Sequence, residues 1–178
     1  MFVCPAEDTY NGRRLNIRKL CTLESHRGQK KGGRQRGGKD LPHKVELALG
    51  MKVMVTDNVE TDLDITNGAR GEIVGITLHP DEPPVDKNEA IVKFHYLPVY
   101  ILVKLSRTRA TRLEKLPVEE GVVPIEPIST SYRVRFSTKK GQQHQRTIKR
   151  RQLPVTAAYN FTDYRSQGQT IPYIMHHR

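Results

Sequence analysis

Over most of this chain the hydrophobic positions keep the period of strands rather than helices. Val45, Leu47 and Leu49 alternate with polar or small residues, Gly50 interrupts, and Met51 to Thr56 continues as a short buried run. Asn67-Gly68 is a hairpin-type turn signal, and Gly71 to Leu78 reads as the strand that follows. An acidic, Pro-rich loop over 79–89 leads to three further β-rich runs, Ala90 to Tyr96, Val99 to Leu105 and Tyr132 to Ser137. In the last of these Tyr132, Val134 and Phe136 face one way, while Arg133 and Arg135 face the other. Many short strands joined by turns predict a small barrel or sandwich between about Leu49 and Gln152. Helical spacing occurs at Ile17, Leu20, Cys21 and Glu24, and predicts one short helix there.

Composition narrows the class of partner. The 178 residues suit one domain, or one with a smaller part attached. With 36% hydrophobic residues and no Trp, the core must rest on Val, Ile and Leu. Thirty Lys and Arg against nineteen Asp and Glu give a net charge of +11, which favours polyanions, nucleic acid first. A membrane is not expected: no apolar run approaches the roughly 20 residues of a spanning helix, and no basic amphipathic helix is present. Cys4 and Cys21 are too few for a structural zinc site, and a reduced, intracellular chain is the simpler reading. Glu7 and Asp8 follow the first six residues directly, so the start lacks the basic and apolar regions of a signal peptide.

Two cationic segments stand out. From Arg27 to Lys39 six Lys and Arg alternate with five glycines and no apolar residue, the composition of a flexible linker. Gly33, Gly38 and Lys39 fit the first seven positions of a Walker A loop. Asp40 stands where a magnesium-binding hydroxyl is required, and Pro42 disfavours the helix that should follow, so the match is rejected. The second segment carries Lys139, Lys140, Arg146, Lys149, Arg150 and Arg151 without an acid. It is read either as a solvated hairpin or as a nucleic-acid backbone contact in which strand-spaced cations line up along phosphates.

No hydrolase or transferase constellation is present. Ser166 lacks the first Gly of a nucleophile elbow, the seven His are scattered, and the calcium-loop template fails at Asp62, Asp64 and Asn67. What remains is the polar turn Thr162-Asp163-Tyr164-Arg165-Ser166-Gln167-Gly168-Gln169-Thr170, which follows an apolar stretch and gathers hydroxyls, an amide, a cation and an approachable glycine backbone.

Three segments, Leu47 to Asn58, Ile65 to Gly71 and Ala157 to Thr170, resemble in order and spacing the C-terminal part of Pif-type (petite integration frequency) superfamily-one DNA helicases, especially fungal and Helitron-like sets. The resemblance spans about Leu41 to Pro172. It implies a mainly β (α+β) fold in which a small Src-homology-like β-barrel is inserted into a partial second RecA-like domain. The implied divisions are 1–40, an N-terminal segment with a basic Gly-rich linker; 41–66, partial RecA-like strands; 67–152, the inserted barrel; and 153–178, a return to the RecA-like part with helicase motif V. Thr162 through Thr170 is similar to that motif. By this match Thr162, Tyr164, Arg165 and Ser166 would contact single-stranded DNA, and Gln167 with Gly168 would sit toward the nucleotide. Asp163 and Tyr164 depart from the usual apolar residue and His; Tyr can still stack or donate its hydroxyl. Arg133, Arg135, Lys149, Arg150 and Arg151 join the expected nucleic-acid contacts.

The family uses ATP and magnesium in DNA repair and recombination, and the resemblance implies a nuclear setting. Walker A, Walker B and motif VI have no counterpart here; Leu105-Ser106-Arg107 looks like part of motif VI but precedes motif V. The expectation is therefore a truncated helicase piece, missing the first RecA-like domain and inactive alone, with no catalytic residue, cofactor or metal of its own. Two alternatives stay open: a non-enzymatic RNA-binding barrel, suggested by Asn67 to Val74, and an inactive helicase remnant.

Overall fold

The computed structural model describes residues 1–15, 41–86, 89–108, 120–137 and 143–159. The helix expected at Ile17 to Glu24, the Gly-rich stretch from Arg27 to Lys39 and the turn from Thr162 to Thr170 lie outside the described residues. The fold is mainly β. Its strands are β1 (Phe2–Pro5), β2 (Glu7–Tyr10), β3 (Arg13–Arg14), β4 (Lys44–Leu47), β5 (Lys52–Val55), β6 (Arg70–Thr77), β7 (Val92–Lys93), β8 (Tyr100–Leu105), β9 (Val122–Ile125), β10 (Ile128–Ser137), β11 (Gln143–Gln152) and β12 (Val155–Ala157), with a 3-10 turn at Thr61–Leu63.

The strands form three sheets, ordered β4-β1-β7, β10-β11-β2-β3 and β12-β5-β6-β8-β9. The first and third share one core. Alternation in β4 buries Val45 and Leu47 and exposes Lys44 and Glu46. Leu49, which would continue that period, is 60% exposed in the turn before β5. The next run behaves as its composition predicts: Val53, Met54 and Val55 are all buried. Ile73, Ile101, Val103, Ile125, Leu153 and Cys4 complete the cluster, and Phe2 stacks on Phe94 at 5.3 Å. Burying each such aliphatic side chain contributes about 1.5–3 kcal/mol. Gly71 lies on β6 tight against β8; a Cβ there would come 2.5 Å from the Lys104 carbonyl oxygen.

Gly68 takes a positive φ of 95° as the turn signal requires, and the Ala69 N–H closes that turn on the Thr66 carbonyl at 2.9 Å. The strands it was expected to join are placed differently. β6 pairs with β5, Met54 opposite Arg70, so the connection is the arch 56–69 rather than a two-residue hairpin. The arch is tied down by Val55, whose N–H donates to Ala69 and whose carbonyl accepts from Gly68, each at 2.8 Å.

Among the described residues no strand pairing closes a barrel. The five-stranded sheet ends at β12 and β9, which do not pair with each other. Pro124 removes a donor from β9, and β12 has only three residues, so neither edge offers the ladder that closure needs. The expected barrel is thus a set of open sheets. The first fifteen residues belong to two of them: β1 is the central strand of the first sheet, while β2 and β3 complete the second.

Candidate nucleic-acid interface

The long hairpin β10–β11 supplies the site. Its ten-residue strands pair in continuous register from Ile128 opposite Gln152 to Ser137 opposite Gln143. Directly opposed residues of an antiparallel pair share a face, so the register sorts the side chains into two sets. One set contains Tyr132, Val134, Ile148 and Arg150, and it packs inward. Val134 and Ile148 are buried, with Tyr10, Leu15 and Tyr132 against them.

The other set faces water and repeats one arrangement. Ser129 opposes Arg151, Ser131 opposes Lys149, and Arg133 opposes Thr147. Each rung joins one cation to one hydroxyl, and all six residues are exposed. Arg135 pairs with Gln145 in the same register. No rung sets like charges face to face, which would be destabilising. Rungs of one face recur every second residue, about 7 Å apart. That step is comparable to the phosphate spacing of an extended single strand. β2 adds Glu7 beside Arg151 and Thr9 beside Lys149. The Glu7 carboxylate lies 3.4 Å from Arg151 and offsets part of its charge. No carboxylate pairs with Lys149 or Arg133 among the described residues.

Arg150 differs from its neighbours in every respect. It lies on the inward face, 2% exposed. Its Nε and Nη2 donate to the two carboxylate oxygens of Asp8 at 2.8 and 2.7 Å, and Nη1 donates to the Leu41 carbonyl at 3.2 Å. The guanidinium also covers the Tyr132 ring at 5.2 Å. This fork joins β2 to β11 and gives Arg150 a structural task that withholds it from the water-facing row. Gln152 does similar work two residues on: its Nε2 donates to the Cys4 carbonyl at 3.0 Å, and its Oε1 accepts the Leu153 N–H at 2.9 Å. One residue in two therefore locks the hairpin to the core while the residues between face solvent.

Of the residues expected from sequence, Arg133, Lys149 and Arg151 meet on one face. Thr162, Tyr164, Arg165, Ser166, Gln167 and Gly168 lie outside the described residues. Asp8, Thr9 and Arg14 were not anticipated. The segment Glu7-Asp8-Thr9-Tyr10 has Tyr10 as its one partly apolar position, so hydrophobic periodicity passes over it; the faint signal is the Glu7-Asp8 acid pair in a strongly cationic chain. Among the described residues no group of three or more His, Cys, Asp or Glu assembles a metal site, and no helix there is long and apolar enough to cross a membrane.

Among the solved structures similar to this chain are two Pif1 proteins. The Pif1 helicase from Candida albicans aligns with a TM-score of 0.48 and 19% identity, covering 95% of this chain and 31% of that one. The Bacteroides sp Pif1 in complex with ADP-AlF4 aligns with a TM-score of 0.39 and 17% identity, covering 72% and 22%. This chain spans less than a third of the length of either. No family model and no curated protein matches it.

Proposed function

We propose that this chain is the nucleic-acid-binding part of a Pif-type helicase, holding the backbone of single-stranded DNA on the outward face of β10 and β11. The observation that carries this is the ladder of rungs, each with one cation and one neutral hydrogen-bonding side chain. Point charges attract phosphates, and the hydroxyls beside them can donate to the same oxygens. The helicase assignment rests on the resemblance of Leu47 to Asn58, Ile65 to Gly71 and Ala157 to Thr170. In that reading Thr162 and Ser166 supply further backbone contacts, with Tyr164 and Arg165 beside them. Gln167 and Gly168 would sit toward a nucleotide held elsewhere. By the same resemblance we assign ATP and magnesium to the first RecA-like domain of a longer protein.

Fluorescence anisotropy of labelled single-stranded DNA, repeated at several salt concentrations, tests the reading. The logarithm of affinity should fall with the logarithm of salt at about 0.7 per phosphate neutralised. Lys149→Ala and Arg133→Ala should each reduce that slope. Thr162→Ala with Ser166→Ala should weaken binding further if the C-terminal turn takes part. Absence of binding at low salt would sink the proposal, and a clear preference for RNA of the same length would favour the RNA-binding alternative.

A further inference from the structure

The water-facing row does not stop at the hairpin. Ser131 opposes Lys149, Lys149 opposes Thr9, and Thr9 opposes Arg14, so four strands place these residues in one line on one face. At about 4.8 Å per strand, Arg14 lies roughly 10 Å from Lys149. There the character of the surface changes. The exposed Arg14 donates Nη2 to the His95 carbonyl at 3.2 Å, and its guanidinium lies 5.9 Å from the centre of the Tyr96 ring. The His79 ring stacks on Tyr96 at 4.9 Å with 22° between the planes. Three flat groups, from β3 and from both ends of the 79–96 segment, gather beside the row of cations and hydroxyls.

This cluster is not needed to hold the loop in place. Glu82 does that: its carboxylate, 4% exposed, accepts the His95 N–H at 2.8 and 3.1 Å and the Tyr96 N–H at 2.8 Å. The Tyr96 backbone is therefore fixed independently of what its ring touches. A preformed cluster of an exposed guanidinium and two half-buried aromatic rings brings π groups together without further ordering cost, and an unpaired base can add to that stack. A phosphate on Lys149 would lie roughly 10 Å from the Arg14 position, within one to two steps of an extended strand.

We propose that Arg14, Tyr96 and His79 form a nucleobase-stacking site beside the phosphate row, at the end of its Lys149 rung, taking an unstacked base of a bound single strand. The proposal rests on the backbone-binding reading above. A comparison of two labelled strands of equal length, oligothymidine and an abasic strand with the same phosphates, separates the two. The intact chain should bind oligothymidine about tenfold more tightly than the abasic strand. Tyr96→Ala and His79→Ala should each bring the two affinities together, while Tyr96→Phe keeps the difference. Lys149→Ala should weaken both strands equally and leave their ratio unchanged. Equal affinities in the intact chain would overturn the stacking site and spare the phosphate row. So would a ratio that survives His79→Ala, a change at a side chain one third exposed. Failure to bind either strand would remove both readings.

Discussion

The five-stranded sheet and the hairpin sheet achieve the same architecture by different physics. In the first, strand alternation delivers Val53, Val55, Ile73, Ile101, Val103 and Ile125 to one apolar cluster. In the second, the inward face offers Val134 and Ile148 as its buried apolar residues, and a buried charge fork between Asp8 and Arg150 completes it. Apolar area is tolerant, because many side chains share the work and volume can be redistributed. A buried ion pair is not: each charge is acceptable only while the other is present. The difference also explains the outer face. With the inward side fixed by the fork and by Gln152, nothing restricts the outward side except the avoidance of opposed like charges, and its three rungs from Ser129 to Thr147 carry cations and hydroxyls, with Glu7 beside Arg151.

The strongest way to break this comparison is Asp8→Ala, which leaves a buried guanidinium alone and should cost about 3–5 kcal/mol in urea denaturation. Pairing Asp8→Leu with Arg150→Met should recover most of that loss. A cost below about 1 kcal/mol for the single change would mean that apolar contacts hold this sheet as well. In the five-stranded sheet, Gly71→Ala should cost about 1–3 kcal/mol, because the added methyl meets the Lys104 carbonyl and Val103 at less than 3 Å.

Alkaline pH should reveal the core from another side. Burial, and secondarily the Glu82 carboxylate, pushes the Cys4 thiol from 9.0 up to about 12. The thiol stays neutral in the folded chain and ionises in the unfolded one, so its contribution is complete below pH 9. It is lost as pH rises from 9 toward 12, at about 1.4 kcal/mol per unit once the unfolded thiol is ionised. Cys4→Ala should remove that dependence from the stability curve. The smallest effects belong on the outer face. Lys149→Ala and Arg133→Ala should change stability by no more than about 0.5 kcal/mol, yet each should lower the salt slope of DNA binding by about 0.7.

The apolar strands were legible because their signal is local. β4, β5, β6 and β8 follow directly from Val45 and Leu47, from the run at Val53 to Val55, and from the alternation around Ile73 and Val103. Arg133 was separable from Tyr132 and Val134 for the same reason. β2 and most of β11 were not, because Glu7 to Tyr10 and Gln143 to Gln152 are nearly free of apolar residues and become strands through their partners, β11 along the whole of β10 and β2 against Lys149 to Arg151. Arg150 shows the limit clearly. In the sequence it stands between Lys149 and Arg151 as one more surface cation; only the register with Asp8, 142 residues away, turns it inward. Closure of a barrel was likewise a long-range property, undone by Pro124 and by the shortness of β12.

The pairing of β2 with β11 also sets a schedule for synthesis. Asp8 is synthesised 142 residues ahead of its partner Arg150, and Glu7 is likewise well ahead of Arg151. Until then Asp8 has no guanidinium to meet, and β1 can find β4 but not Gln152. The nascent chain must carry β2 without β11 until those residues are added, a delay that exposes a strand edge and favours chaperone capture. A single distant arginine thus acts as the clasp that ends the folding of the whole second sheet.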